Sequence, residues 1–254
     1  MSQSDVSQPE PASHPAPDKL VRELARVAGL HAERAASPAR AAALERIAGW
    51  QGRRLVQTYA DLAAQPRFAP AIEFFENDLY GGADFAQRDT DLARIAPVMV
   101  RMLPEGVIAT VATAVELNRL SQELDRELLA RLPRVDGMFT VAEYASAYRR
   151  MGNRAARERQ IRMIGEIGAA LDGFVRKPFI YTALVMMRHP ARLAGFSVLH
   201  DFLERGFAAF RRMDGAEEFL ATIHRREWKL METMFAGDLA PFPEPAAPVR
   251  TAGR

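Results

Sequence analysis

Cysteine is absent from the 254 residues, which excludes disulfides, thiolate nucleophiles and cysteine-based zinc sites. Lysine is scarce, occurring only at Lys19, Lys177 and Lys229. Arginine therefore carries nearly all the positive charge, and its planar fork suits bidentate pairing with carboxylates and phosphates. An Ala- and Arg-rich composition is also what a GC-rich genome produces. The net charge is only +2, so the basic isoelectric point reflects a small imbalance between nearly cancelling charges. Long apolar runs are missing as well. The longest, PFIYTALVMM at 178–187, is closed by Arg188 and is too short to span a bilayer. The opening MSQSDVSQPEPASHPAPD has neither a basic start nor an apolar core and does not read as a signal peptide. These absences point to a soluble, cytoplasmic, bacterial-type protein with no membrane partner.

What is present is helical periodicity. Apolar residues recur at helical spacing almost throughout, and no alternating strand pattern stands out. The spacing predicts helices near 18–35, 38–64, 70–80, 84–102, 105–131, 140–151, 154–176, 178–188, 190–212 and 215–236. Pro38 after Ser37 and Pro190 after His189 suit first helical positions, and Pro97 should kink the helix that contains it. Residues 1–17 and 239–254 are rich in Pro with Ser, Gln or Ala, and read as disordered tails. The expectation is one all-α domain over 18–238, a multi-helix bundle of nine or ten helices.

The stretch EFFENDLYGGADFAQRD, 73–89, is the densest in chemically active side chains. Ile72, Phe75 and Leu79 fall on one stripe with Phe74 beside it. Gly81-Gly82 can end that helix, and Asp84 with Gln87 can cap the next as a capping box. Phe85, Leu92, Ile95 and Met99 then define a buried stripe that Arg88 and Asp89 interrupt. A charge on a core-facing stripe needs a partner. Arg88 is therefore expected to be buried against a carboxylate, Asp78 or Asp89 first, as an ion pair fixing the helix joint. Asp78, Arg88 and Asp89 are the candidate ion-pair or anion site.

FFENDLYGGADFAQRD, RIAPVMVRMLP, AYRRMGNRAARERQIRMIGEIGAALDGFVRKP and the MRHPARLAGFSVLHDFLERGFAAFRRMDGAEEFL segment with its following IHRRE resemble an uncharacterised bacterial all-helical family. Its signature is Phe-Phe-x-x-x-Leu-Tyr followed by Arg-Asp, and the resemblance covers about residues 18–236. It implies an all-helical fold and transfers no activity, cofactor or catalytic residue.

Other constellations carry less chemistry. His200 shares a stripe with Leu193, Phe196, Leu203, Phe207 and Phe210, which suits a core histidine and makes it the one weak cofactor-binding candidate, for haem. His200/Glu204 and His224/Glu227 have metal-ligand spacing, but the residue order is the reverse of the Glu-x-x-His of di-iron bundles, and no metal site is assigned. No nucleophile elbow, phosphate-binding loop or dinucleotide fingerprint occurs, so no catalytic residue and no cofactor is assigned, and an enzymatic role has no motif behind it. Arg149, Arg150, Arg154, Arg157, Arg159 and Arg162 form the most polarised cluster, a candidate basic face. Their helix also carries Ile161, Ile164, Ile167 and Leu171, which look core-facing, so sequence-specific nucleic-acid reading is not expected. The reading is a helical binding or interaction protein, with a protein partner or a second copy among its candidate partners. One alternative is an enzyme or ligand sensor with a pocket between the Arg88 helix and the 190–212 helix. The other is an anion or nucleic-acid binder using the basic face.

Overall fold

The computed structural model describes residues 15–80, 85–134 and 139–246. Among them no strand occurs. The helices in the first half are α1 (Pro15–Ala35), α2 (Pro38–Thr58), α3 (Ala60–Ala63), α4 (Ala69–Phe74), α5 (Phe85–Met102) and α6 (Glu105–Leu129). The second half holds α7 (Val141–Met151), α8 (Arg154–Val175), α9 (Pro178–Met186), α10 (Arg188–Leu193), α11 (Ser197–Met213) and α12 (Glu217–Ala236). The all-α expectation holds, and most boundaries fall within a few residues of those the periodicity predicts.

The departures have local causes. The 38–64 helix breaks at Tyr59, whose φ of −114° and ψ of 22° are not helical. The 190–212 helix is two helices, because Gly195 takes a left-handed φ of 77° between them. Leu193 and Leu203, expected on the buried His200 stripe, are exposed. Pro190 falls inside α10 rather than opening it, while Pro38 and Pro178 do begin their helices. Pro97 lies within a continuous α5. Gly81, Gly82 and Asp84 lie outside the described residues, so the Gly-Gly turn and the capping box do too; Gln87 donates to Asp91 at 2.7 Å.

Residues 1–14 and 247–254 of the expected tails lie outside the described residues. Residues at their inner ends pack. Pro15 opens α1 and Ala16 is buried. Phe242 lies 5.8 Å from Trp50 between ring centroids, and the Glu244 carboxylate accepts the Val141 amide at 2.7 Å, at the start of α7.

Pair registers give the helix directions. Lys19 meets Glu116, Glu23 meets Arg119 and Glu33 meets Arg126, so α1 and α6 run parallel. Glu116 with Arg159 and Glu127 with Asn153 make α6 and α8 antiparallel. Three main apolar clusters result. One unites α1, α5 and α6. A second joins α2, α7 and α12 around Trp50. The third packs α4, α11 and α12 around Phe68, Phe75 and Phe219. Close approach is met by glycine: a Cβ on Gly206 of α11 would lie 2.9 Å from Cζ of Phe74. The α4–α11 contact built on that glycine positions the site.

Candidate functional site

α4 does not stop at Phe74 but widens into a π-helical segment, Phe75–Tyr80. Such segments are rare and occur frequently at functional sites. Gly52 of α2 makes room for it, since a Cβ there would sit 3.2 Å from Cβ of Tyr80. The segment keeps Phe75 in the core, while Leu79 is exposed. Asn77 and Asp78 are turned toward a groove between α4, α5 and α11.

That groove measures about 830 Å³, within the range of small-molecule sites. Its lining joins Phe74 and Asp78, Phe85 and Arg88 of α5, and Phe202 and Arg205 of α11, with Arg211 and Arg212 farther along. A pocket between the Arg88 helix and the helix after Pro190 was one of the alternatives open from the sequence.

Arg88 is largely but not fully buried, its side chain 13% exposed. Of the two expected carboxylates Asp89 is the ion-pair partner, and Asp78 contributes its backbone instead. Nη1 donates to the backbone carbonyl of Asp78 at 3.2 Å, and Nε lies 3.8 Å from Asp89, beyond hydrogen-bond reach. Phe202 and Phe85 approach its Cζ at 4.3 and 4.7 Å from their centroids. The Asp78 carboxylate instead takes two bonds from Arg205, at 2.9 and 2.6 Å. Asp89 is held by His31 and Asn118, each at 2.8 Å. Burial pulls the Arg88 pKa below its usual value, against the opposing pull of Asp89 and Asp78. The Arg88–Asp89 pair is thus a long one without a hydrogen bond, and it leaves a desolvated guanidinium on a groove wall. The wider stripe is also corrected: α5 buries Asp89, Asp91 and Ala96, while Phe85, Leu92, Ile95 and Met99 are half-buried.

A second buried arginine behaves differently. Arg54 of α2 meets Glu227 of α12 through both ends of its fork, at 2.5 and 3.2 Å, and Tyr59 donates to the same carboxylate at 2.8 Å. Burial alone would lower the Arg54 pKa, yet Glu227 outweighs it and the pKa is raised. A smaller groove of about 380 Å³ lies beside Arg54, edged by Pro241 and Phe242.

His200 is buried, with Nε2 2.8 Å from the Leu184 carbonyl near the end of α9. That carbonyl also accepts the Met187 amide at 3.2 Å, so the histidine adds a second bond at the end of α9. His224 is exposed and stacks on Trp228, while Glu227 is engaged by Arg54 and Tyr59. Among the described residues no three His, Asp or Glu gather as a metal-binding group.

Five of the six arginines of the basic run are exposed, and most of them are paired. Arg157 is buried over the Tyr148 ring, 4.6 Å from its centroid. Arg159 pairs with Glu116, Arg154 and Arg162 with Glu158, and Arg150 donates to the Arg131 carbonyl. Arg149 remains exposed on α7. The sequence signal for the groove was the Phe-Phe run with Arg88. Phe202 and Arg205 were missed, because no local pattern announces that α11 crosses α4 and α5 at that height.

The fold and this geometry define a class: an all-α protein with an arginine-bearing, aromatic-walled groove. The chain belongs to the family described as "Domain of unknown function (DUF8198)", whose model matches residues 30–241 and so includes every groove residue named above. No curated protein and no solved structure matches it. Among the described residues no helix is long and apolar enough to cross a membrane.

Proposed function

We propose that this protein is a helical binding protein whose groove between α4, α5 and α11 takes a small organic anion. The observation that carries this is Arg88. It is desolvated, borders a groove of ligand size, and has no carboxylate within hydrogen-bond distance. A buried cation left in that state is costly to the fold, and an anion entering the groove would offset the cost. The π-helical segment carrying Asp78 supports the same place, since its widened turn aims Asp78 at Arg205 and its carbonyl at Arg88. We assign the protein to the cytoplasm of a bacterium. A chain without cysteine forms no disulfide, so nothing in the fold asks for an oxidising compartment.

The test is thermal unfolding of the purified chain against a panel of carboxylates and phosphates. A ligand at about a hundred times its Kd should stabilise the fold by about 2.7 kcal/mol. That gain should vanish in Arg88→Leu. A panel that leaves the native protein unmoved, or stabilises the variant equally, overturns the proposal.

A further inference from the structure

We infer that the groove selects a carboxylate joined to a flat aromatic body over a phosphate or a saturated carboxylate; this rests on the groove being the binding site proposed above.

The first argument concerns the head group. Phe202 and Phe85 both have ring centroids within 5 Å of the Arg88 Cζ, so two aromatic rings crowd the guanidinium. Nη1 already gives one bond to the Asp78 carbonyl, and Nε points to the Asp89 side. What is left for a ligand is one edge of a planar fork, which fits the two coplanar oxygens of a carboxylate. A phosphate dianion spreads its charge over three oxygens and needs several cations converging on it. Arg205 is committed to Asp78 through two bonds. Arg212 gives Nε to the Pro66 carbonyl at 3.2 Å, and Arg211 lies over the Tyr181 ring at 3.8 Å. Glu73 and Asp78 also belong to the lining. Two acids oppose a dianion about twice as strongly as a monoanion at the same distance.

The second argument concerns the body. Beside the fork the wall is carbon: Phe74 and Phe202 pack with centroids 5.3 Å apart, and Val198 and Ala209 extend it. Flat aromatic surface gains edge-to-face and offset contacts with such rings beyond the area it buries. Gly206 fixes this wall, because only a residue without a Cβ lets the Phe74 ring lie so close to α11.

The experiment is isothermal titration calorimetry of the full chain with three probes: 2-naphthoate, cyclohexanecarboxylate and inorganic phosphate. Naphthoate should bind about tenfold or more tighter than each of the others, the ring contacts supplying most of that factor over the saturated acid. Arg88→Lys keeps the charge and loses the fork, and should weaken naphthoate by about tenfold. Phe202→Leu should erase the preference over cyclohexanecarboxylate while still binding both acids. Equal affinity of the native protein for the two carboxylates overturns the aromatic selection. Tighter binding of phosphate overturns the carboxylate selection and leaves the anion groove standing. Heat from none of the three overturns this inference, and if the wider anion panel also fails, the proposed function falls with it.

Discussion

Arg54 and Arg88 are buried to nearly the same degree, their side chains 10% and 13% exposed, yet their surroundings are opposite. Arg54 spends its fork on Glu227, which also receives Tyr59. Arg88 has one carbonyl, two rings and an acid paired at 3.8 Å without a hydrogen bond. Charge and burial alone do not separate a structural arginine from a binding one. The number of donors already committed does. The same difference appears in the pKa directions, raised for Arg54 and lowered for Arg88.

The sharpest way to break the comparison is Arg54→Ala. It strands the Glu227 carboxylate and the Tyr59 hydroxyl together, and should cost about 3–5 kcal/mol in urea unfolding. A loss under about 1 kcal/mol would mean that water reaches Glu227, and Arg54 would cease to be the saturated case.

Gly206→Ala comes next and acts on the groove side. Its Cβ would sit 2.9 Å from Cζ of Phe74, a ring only 8% exposed. Overpacking should cost about 1–3 kcal/mol, and the displaced ring should weaken ligand binding as well. A variant as stable as the parent would mean the Phe74 wall is soft, and the groove less defined than Arg88 requires.

Tyr80 sharpens the saturated side through pH. Burial raises its phenol from 10.0 to about 12, with Glu227 adding and Arg54 opposing. The folded state therefore holds a proton that the unfolded chain releases above its ordinary value. The associated stability is complete below about pH 10 and is lost as pH rises from there through about 12, at up to about 1.4 kcal/mol per pH unit. Tyr80→Phe should make the alkaline decline shallower by one proton and leave neutral-pH stability little changed. Tyr59, Tyr144 and Tyr148, raised by burial as well, keep the remaining slope. An unchanged slope would remove Tyr80 from the network.

Helix positions were legible because burial in an all-α chain imposes one period, and Pro38, Pro178 and Gly152 mark boundaries with backbone chemistry of their own. The break at Gly195 was not, since a single glycine inside a periodic run reads equally as helix interior. Arg88 was found because an arginine on an apolar stripe violates the pattern. Of its two candidate acids Asp89 pairs with it, while the Asp78 carboxylate is taken by Arg205, 127 residues away on α11. The neutralisation of the basic run was not legible for a related reason: 149–162 spans the end of α7 and the start of α8, and the acids that answer it belong to α6, α8 and α12. Charge runs are local in sequence, but neutralisation is a property of the packed helices.

Arg88→Leu should have the smallest effect on the free protein, and that near-silence is its value. Removing Arg88 strands no carboxylate, because Asp78 keeps Arg205 and Asp89 keeps His31 and Asn118. Leucine replaces a desolvated cation with carbon beside two phenyl rings, a change that is often neutral or stabilising. Urea unfolding should therefore place the variant within about 1 kcal/mol of the parent, far from the loss at Arg54. A cost of about 3 kcal/mol or more would mean that Arg88 is tied as firmly as Arg54, and the contrast between them would collapse. If stability is kept and the anion response is lost, Arg88 is a residue the fold does not need and the ligand does.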